Sequence, residues 1–268
     1  MTPLPNPHPA LALSRKQVFA HRGGSKLRPE NTIVAFDHGL SLGADGLEFD
    51  VHLARDGVVV VHHDSTLERT TNAAGPLAAR TADELARVDA GCRFTPDGGA
   101  TFPFGGQGIG IPTLRDVLRR YRDRWLIIEL KDNDAELARR TVDEIRAADA
   151  IGRIALGSFG RRALRAARAY EPALLTGAAQ EETRLALYLS WIRCRPARRP
   201  YDAFQVPEWA GATHVVSPRF VQYAHDAGIA VQVWTVDEES HMRRLLSWGV
   251  DGIISDRPDV AVRVVRNT

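Results

Sequence analysis

Short apolar, β-rich runs recur along this chain with helix-patterned stretches between them, and that alternation limits the possible folds more than any other feature. The runs are QVFAHRG (17–23), GLEFDVHL (46–53), VVVVHH (58–63), WLIIELK (125–131), RIALGSF (153–159), ALLTGAA (173–179), THVVSP (213–218), AVQVWTV (230–236) and GIISD (252–256). Strands that alternate with helices build βα units around a parallel sheet. So many units suit a closed α/β barrel better than an open sheet, and 268 residues match the roughly 250 that one such barrel takes. Helix boundaries are legible too. Pro29 to Thr32 opens a helix that Gly43 stops after Leu42, Thr113 caps LRDVLRRYRDR, and Asp132 to Asp134 opens AELARRTVDEIRAADA. SFGRRALRAARAY and RFVQYAHDAG repeat the order of strand end, turn and helix.

Two stretches break the rhythm. Residues 1–16 carry a short apolar ALAL with no charged segment before it, and read as a disordered lead-in rather than a signal peptide. Residues 65–111 are rich in Gly, Thr and Asp and too long for an ordinary connection, so they form either a functional lobe or a disordered loop. The expected organisation is one barrel domain over 17–268 with that insertion inside it. A hydrophobic fraction of 44% describes a soluble globular chain, and a net charge of +2 is too small to imply a polyanionic partner, although arginines cluster between 115 and 168 and from Arg193 to Arg199; nucleic acid is not expected. No run is long enough to span a membrane. Cys92 and Cys194 lie far apart with no CxxC pair, which points away from thiolate metal sites and disulfides, and a cytoplasmic location is expected.

The stretch GLEFDVHLARDGVVVVHHD (46–64) carries the chemistry. Leu47, Phe49, Val51 and Leu53 alternate with Glu48, Asp50 and His52, so one strand face is apolar and the other titratable. Asp56-Gly57 marks a hairpin. A two-residue turn there pairs Asp50 with His63 and Glu48 with Ser65, whereas a bulge or longer loop brings His62 opposite instead. Such a charged face is commonly just the wet side of a sheet. Glu129, inside the apolar LIIELK, argues otherwise, because a buried acid is costly without a partner. Lys131 on the same face could be that partner. Carboxylates brought together repel by about 4 kcal/mol per pair at ~4 Å and an effective dielectric near ~20. A divalent cation relieves this, and all-oxygen ligands favour Mg²⁺ or Ca²⁺ over zinc.

His21 and Arg22, in AHRGGSKLRPENT, follow the first strand, where barrel enzymes keep catalytic groups, with glycines that let a substrate approach the backbone. Together with His63, Lys131 and the acids they describe a site for an anionic phosphorus centre. Cations bind the oxygens, and two imidazoles with reference pKa near ~6.5 share acid and base duties.

Taken in order, HRGGSKLRPENTIVAF, GLEFDVHLARDGVVVVHHDSTLERTTN, IPTLRDVL, LIIELK, VQVWTVD and DGIISDRPD resemble the glycerophosphodiester phosphodiesterase family from His21 to about Pro258. The resemblance implies a TIM-type (β/α)8 barrel with a small insertion after the second or third strand. The implied reaction is metal-dependent hydrolysis of glycerophosphodiesters to glycerol 3-phosphate and an alcohol, with one Mg²⁺ or Ca²⁺. By motif position it implies His21 and His63 as the catalytic pair, Glu48, Asp50 and Glu129 as metal ligands, Arg22 and Lys131 at the phosphate, and Trp234 lining the pocket. It also implies that 65–111 sits beside the barrel mouth and helps select the head group. In the mechanism that the family suggests, a glycerol hydroxyl attacks phosphorus and expels the head-group alcohol, and water opens the cyclic phosphate. Either histidine can act as first base; His21 as base and His63 as acid is the preferred order, although the sequence does not rank the two.

His52 departs from the family pattern and is either a polar contact at the pocket rim or a surface residue. The segment RLALYLSWIRCRPARRPYDAFQVPEWA matches less clearly and reads as a surface helix, an amphipathic flap, or a place that rests on lipid headgroups. Two other activities compete with the first. One is lysophospholipase D type action on single-chain phospholipids, with an apolar slot from Phe102, Phe104, Leu187 and Trp191; the other is a catalytically silent ligand-binding barrel.

Overall fold

A computed structural model describes residues 15–194 and 199–267; the expected lead-in lies outside the described residues except for Arg15 and Lys16. The strands are β1 Gln17–His21, β2 Gly46–Leu53, β3 Val59–Val61, β4 Trp125–Leu130, β5 Ile154–Gly157, β6 Leu175–Thr176, β7 Ala203–Pro207, β8 Trp209–Ala210, β9 Thr213–His214, β10 Ala230–Trp234 and β11 Gly252–Ser255. Eight of them run parallel in the order β6-β5-β4-β2-β1-β11-β10-β7, and a bridge from Gly177 to Ala203 brings the two ends together. The result is a nearly closed TIM-type barrel with helices outside it.

The alternation in β2 now has a physical meaning. Leu47, Phe49 and Val51 join the large apolar layer between barrel and helices, with Val18, Ile128 and Leu156. Phe19, Ile127 and Ile254 fill the barrel interior. The titratable face of β2 therefore points inward, and Glu48, Asp50 and His52 are buried rather than wet. Helix caps follow the sequence. Thr32 accepts from Ala35 N and starts Ile33–Ser41, Thr113 caps Leu114–Arg120, and Asp134 caps Ala135–Ala147.

One expectation is corrected and two open alternatives are resolved. The run 213–218 is not a barrel strand. That position belongs to β7, which pairs with β10, while Thr213–His214 forms a small antiparallel hairpin with Trp209–Ala210. Val215 and Val216 are buried as irregular chain leading to the Ser217 cap of Pro218–Asp226. The β2–β3 hairpin does not close through a two-residue turn. Val51 faces Val61 and Leu53 faces Val59, leaving a three-residue Arg55-Asp56-Gly57 loop between Ala54 and Val58. Gly57 sits at φ +76, the left-handed position that ends such loops. Finally, 65–111 is an ordered lobe. Leu67, Leu77, Leu85, Val88, Ile109 and Ile111 make a separate small core with Val60 beneath them.

Candidate active site

The strand register delivers the site. His21 lies beside Glu48 across β1 and β2, and Asp50 lies beside Glu129 across β2 and β4, all towards the C-terminal end of the barrel. One carboxylate oxygen each from Glu48, Asp50 and Glu129 falls within 4.8 Å of the others. These three could hold a cation. Burial, then the charge of Asp50, lifts both Glu48 and Glu129 above the usual carboxylate range. Lys131 Nζ lies 3.0 Å from Glu129 and 3.5 Å from Asp50, so the ion pair read from the sequence coexists with the acid cluster. Burial pulls the Lys131 ammonium down, but Asp50 and Glu129 outweigh it and hold it above its ordinary value.

The turn after β1 is built to aim Arg22. Arg22 sits at φ +51 and Gly23 at φ +87, and a Cβ on Gly23 would stand 2.7 Å from the Ala35 backbone, so only glycine fits. The Arg22 guanidinium reaches Glu30 at 2.8 Å and lies 3.2 Å from Asp50. Asn31, also left-handed at φ +56, donates to Asp50 at 2.9 Å. Two non-glycine residues in the left-handed region, Arg22 and Asn31, thus stand beside the acid cluster, the kind of strained backbone that collects at ligand-binding sites.

Each histidine is fixed through Nδ1. Asp256, just past β11, accepts from His21 Nδ1 at 2.6 Å, and Asp64 accepts from His63 Nδ1 at 2.5 Å. That leaves each Nε2 available for proton exchange. Burial lowers His21, but Glu48 and Asp256 more than reverse this, and the net shift is upward. His63 is shifted downward, chiefly by burial. The ladder brings His62, not His63, opposite Asp50: His62 N donates to Asp50 O at 3.0 Å. Yet His62 Nε2 turns to Thr66 O, and His63, past the strand end, lines the cavity. His52 is no surface residue. Its Nδ1 meets Asp132 at 2.9 Å and its Nε2 meets the His63 carbonyl at 3.0 Å, so it anchors the backbone of the second imidazole.

Arg69 joins the two histidine loops, binding Asp64 at 2.5 Å and both oxygens of Glu30 at 2.7 and 2.8 Å. Burial would raise the Glu30 carboxyl, but Arg69 and Arg22 bring it down from 4.5 to about 2. An acid depressed on folding stabilises the native state above its unfolded pKa and loses that contribution as pH falls through its folded pKa. Stability on the order of 2 kcal/mol is therefore expected to disappear between about pH 5 and pH 2, and Glu30→Gln should flatten that part of the unfolding free energy against pH. A slope unchanged in the variant contradicts the assignment.

The cavity above these groups measures about 620 Å³. His21, Arg22, His63 and Lys131 lie along it, while Phe159, Leu187, Tyr188, Trp191 and Trp234 supply apolar wall. Trp234 also packs on the barrel interior and meets Phe159 with ring centroids 5.8 Å apart. No residue of 65–111 lines this cavity, which corrects the expectation that the insertion shapes the head-group pocket. That wall comes instead from helix Gln180–Trp191 and the β8–β9 hairpin. The sequence reading gives Asp256 no site role and places Glu30 and Asn31 only at a helix start, although all three stand inside quoted motifs. Their polar type within GIISD and RPENT was the available signal.

The glycerophosphoryl diester phosphodiesterase family profile matches residues 21–260. A glycerophosphodiester phosphodiesterase of Caldanaerobacter subterraneus is 33% identical over 256 residues, covering 93% of this chain and 97% of that protein. The solved glycerophosphoryl diester phosphodiesterase domain of a Mycobacterium tuberculosis protein superposes with a TM-score of 0.82 at 24% identity, over 93% of this chain and 98% of that one. An Oleispira antarctica phosphodiesterase, solved with the product sn-glycerol-3-phosphate, gives a TM-score of 0.74 at 26% identity, over 94% and 98% of the two chains. With a profile match over nearly its full length, and relatives and solved structures that agree with it, the chain belongs to the glycerophosphoryl diester phosphodiesterase family.

Proposed function

We propose that this enzyme hydrolyses glycerophosphodiesters to glycerol 3-phosphate and an alcohol, with Mg²⁺ or Ca²⁺ at Glu48, Asp50 and Glu129 and with His21 and His63 as the proton-exchanging pair. The observation that carries this reading is the convergence of three inward carboxylates within 4.8 Å, beside a cavity lined by both imidazoles. The donor set fits a hard cation, since every ligand is a carboxylate oxygen. Two of the acids are also held above their usual range, although His21, Arg22 and Lys131 bring positive charge to the cluster. When bound, the cation supplies Lewis-acid polarisation of a phosphoryl oxygen and offsets the charge that develops there.

The chain's own groups supply the rest. Arg22 and Lys131 stay cationic and bind phosphate oxygens at the floor of the cavity. One imidazole Nε2 accepts the proton of the attacking hydroxyl as the other donates to the leaving oxygen, and the roles exchange in the second half-reaction. Asp256 and Asp64 keep the two rings in the tautomer this needs. Trp234 walls the alcohol side. The apolar wall of Phe159, Leu187, Tyr188 and Trp191 favours a second reading, action on single-chain phospholipids. Phe102 and Phe104 are not part of that wall, and Phe104 packs within the lobe against Phe94.

Both readings meet in one assay. Chelator-treated protein given Mg²⁺ or Ca²⁺ is expected to release glycerol 3-phosphate from glycerophosphocholine and to lose that activity when the metal is removed. Turnover of lysophosphatidylcholine alone would support the second reading. Inertness towards every diester in the presence of metal contradicts both and leaves a silent binding barrel.

A further inference from the structure

Among the described residues, the exposed large apolar side chains are not scattered. Apart from Phe102 and Tyr170 they are Phe159, Leu185, Tyr188, Trp191, Ile192 and Trp209, and these gather at one end of the barrel. Phe159, Tyr188 and Trp191 form the cavity wall. Leu185 and Ile192 share a helical stripe with Tyr188, one step around Gln180–Trp191 from the cavity-facing stripe. Trp209 heads the β8–β9 hairpin, whose Ala210, Gly211 and Thr213 complete the opposite rim. Ile192 is 75% exposed and Trp209 54%, levels at which side chains of this size ordinarily find a partner.

The charge of the same rim selects the partner. Arg184, Arg193 and Arg219 are exposed there. Among the described residues between Thr183 and Pro200, Arg184, Arg193 and Arg199 are basic and none is Asp or Glu. Across the mouth, Glu208 is taken up by Arg244 at 2.6 Å. Tryptophan and tyrosine with arginine around an apolar patch is the composition that settles at the headgroup level of a membrane.

We propose that the cavity mouth is a docking surface for an anionic lipid bilayer, with Leu185, Ile192 and Trp209 entering the headgroup region and Arg184, Arg193 and Arg219 facing acidic headgroups. Docked this way, the cavity opens directly on the lipid surface. The contact is peripheral, since no helix of the described chain is long and apolar enough to cross a membrane. It does not depend on the reaction assigned above.

The test is co-sedimentation of the full chain with vesicles of phosphatidylcholine containing phosphatidylglycerol, against pure phosphatidylcholine. Binding is expected to be about tenfold tighter on the anionic vesicles and to weaken in high salt. Ile192→Asp combined with Arg193→Glu, and separately Trp209→Ser, should each reduce it about tenfold. None of these residues lines the cavity, so turnover of a water-soluble diester should remain at the wild-type level, which also shows that the variants are folded. Absence of binding to anionic vesicles, or binding unchanged in both variants, overturns the proposal. So does a concentration-dependent dimer in sedimentation velocity that Ile192→Asp with Arg193→Glu dissolves, because the face would then be covered by a second copy.

Discussion

Replacing His21 with alanine is expected to lower turnover of glycerophosphocholine by roughly 10³-fold, the range that a single positioned acid or base commands, while metal affinity stays within about threefold. The two quantities separate because His21 contributes no carboxylate to the cluster. Its Nδ1 is committed to Asp256 at 2.6 Å, and its Nε2 stands 3.8 Å from Glu48, a distance outside direct bonding. Removing the ring takes away the proton exchanger and leaves Glu48, Asp50 and Glu129 on their strands. Calorimetric titration with Mg²⁺ or Ca²⁺, alongside a product assay, checks both halves. A variant that turns over near the wild-type rate rejects His21 as a catalytic group. A variant that no longer binds metal places the imidazole within the metal site instead.

Glu129→Gln should act on both quantities at once. The amide keeps the shape of the side chain but removes a ligand and a negative charge, so metal affinity should weaken about 10- to 100-fold and turnover should drop by at least ~100-fold. The alternative role is specific: Glu129 as nothing more than the counter-ion of Lys131, 3.0 Å away. Lys131 would still have Asp50 at 3.5 Å. On that alternative the variant loses a little thermal stability and keeps its turnover. Measuring Kd, kcat and Tm on the same preparation therefore discriminates the two roles, and near wild-type kcat with a lowered Tm contradicts the metal-ligand assignment.

How far the sequence carries depends on whether a local pattern or a distant contact sets each feature. The β2 pattern specified its own two faces, and Glu129 in an apolar run announced that one face is interior. Those are period-two signals, and they survive folding. The turn between β2 and β3 is less determined. Asp56-Gly57 fits both a two-residue and a three-residue loop, and one extra residue moves the ladder so that His62 meets Asp50 while His63 reaches the cavity only beyond the strand. The exchange of 213–218 for β7 has a similar cause. Val215 and Val216 have strand-like side chains but pack as irregular chain. AFQVP was hidden by Gln205, which points into the barrel, and by Pro207 at the strand end, where a missing N–H is tolerated.

The supporting groups were the least legible. Asp256 reaches His21 from β11, Arg69 reaches Glu30 from the lobe, and Asp132 reaches His52 from the β4 exit, each across a separation that no local spacing encodes. The cavity wall is another tertiary product. By the family resemblance the lobe over 65–111 should supply head-group contacts. Its apolar residues instead turn inward to a core of their own, and Gln180–Trp191 closes the mouth.

The central claim is that acids from β2 and β4 share one divalent ion beside two imidazoles, and anomalous diffraction from crystals grown with Mn²⁺ in place of Mg²⁺ tests it most directly. The predicted result is a single strong peak bounded by carboxylate oxygens of Glu48, Asp50 and Glu129. A peak held by other residues, or none at saturating metal, would contradict the account.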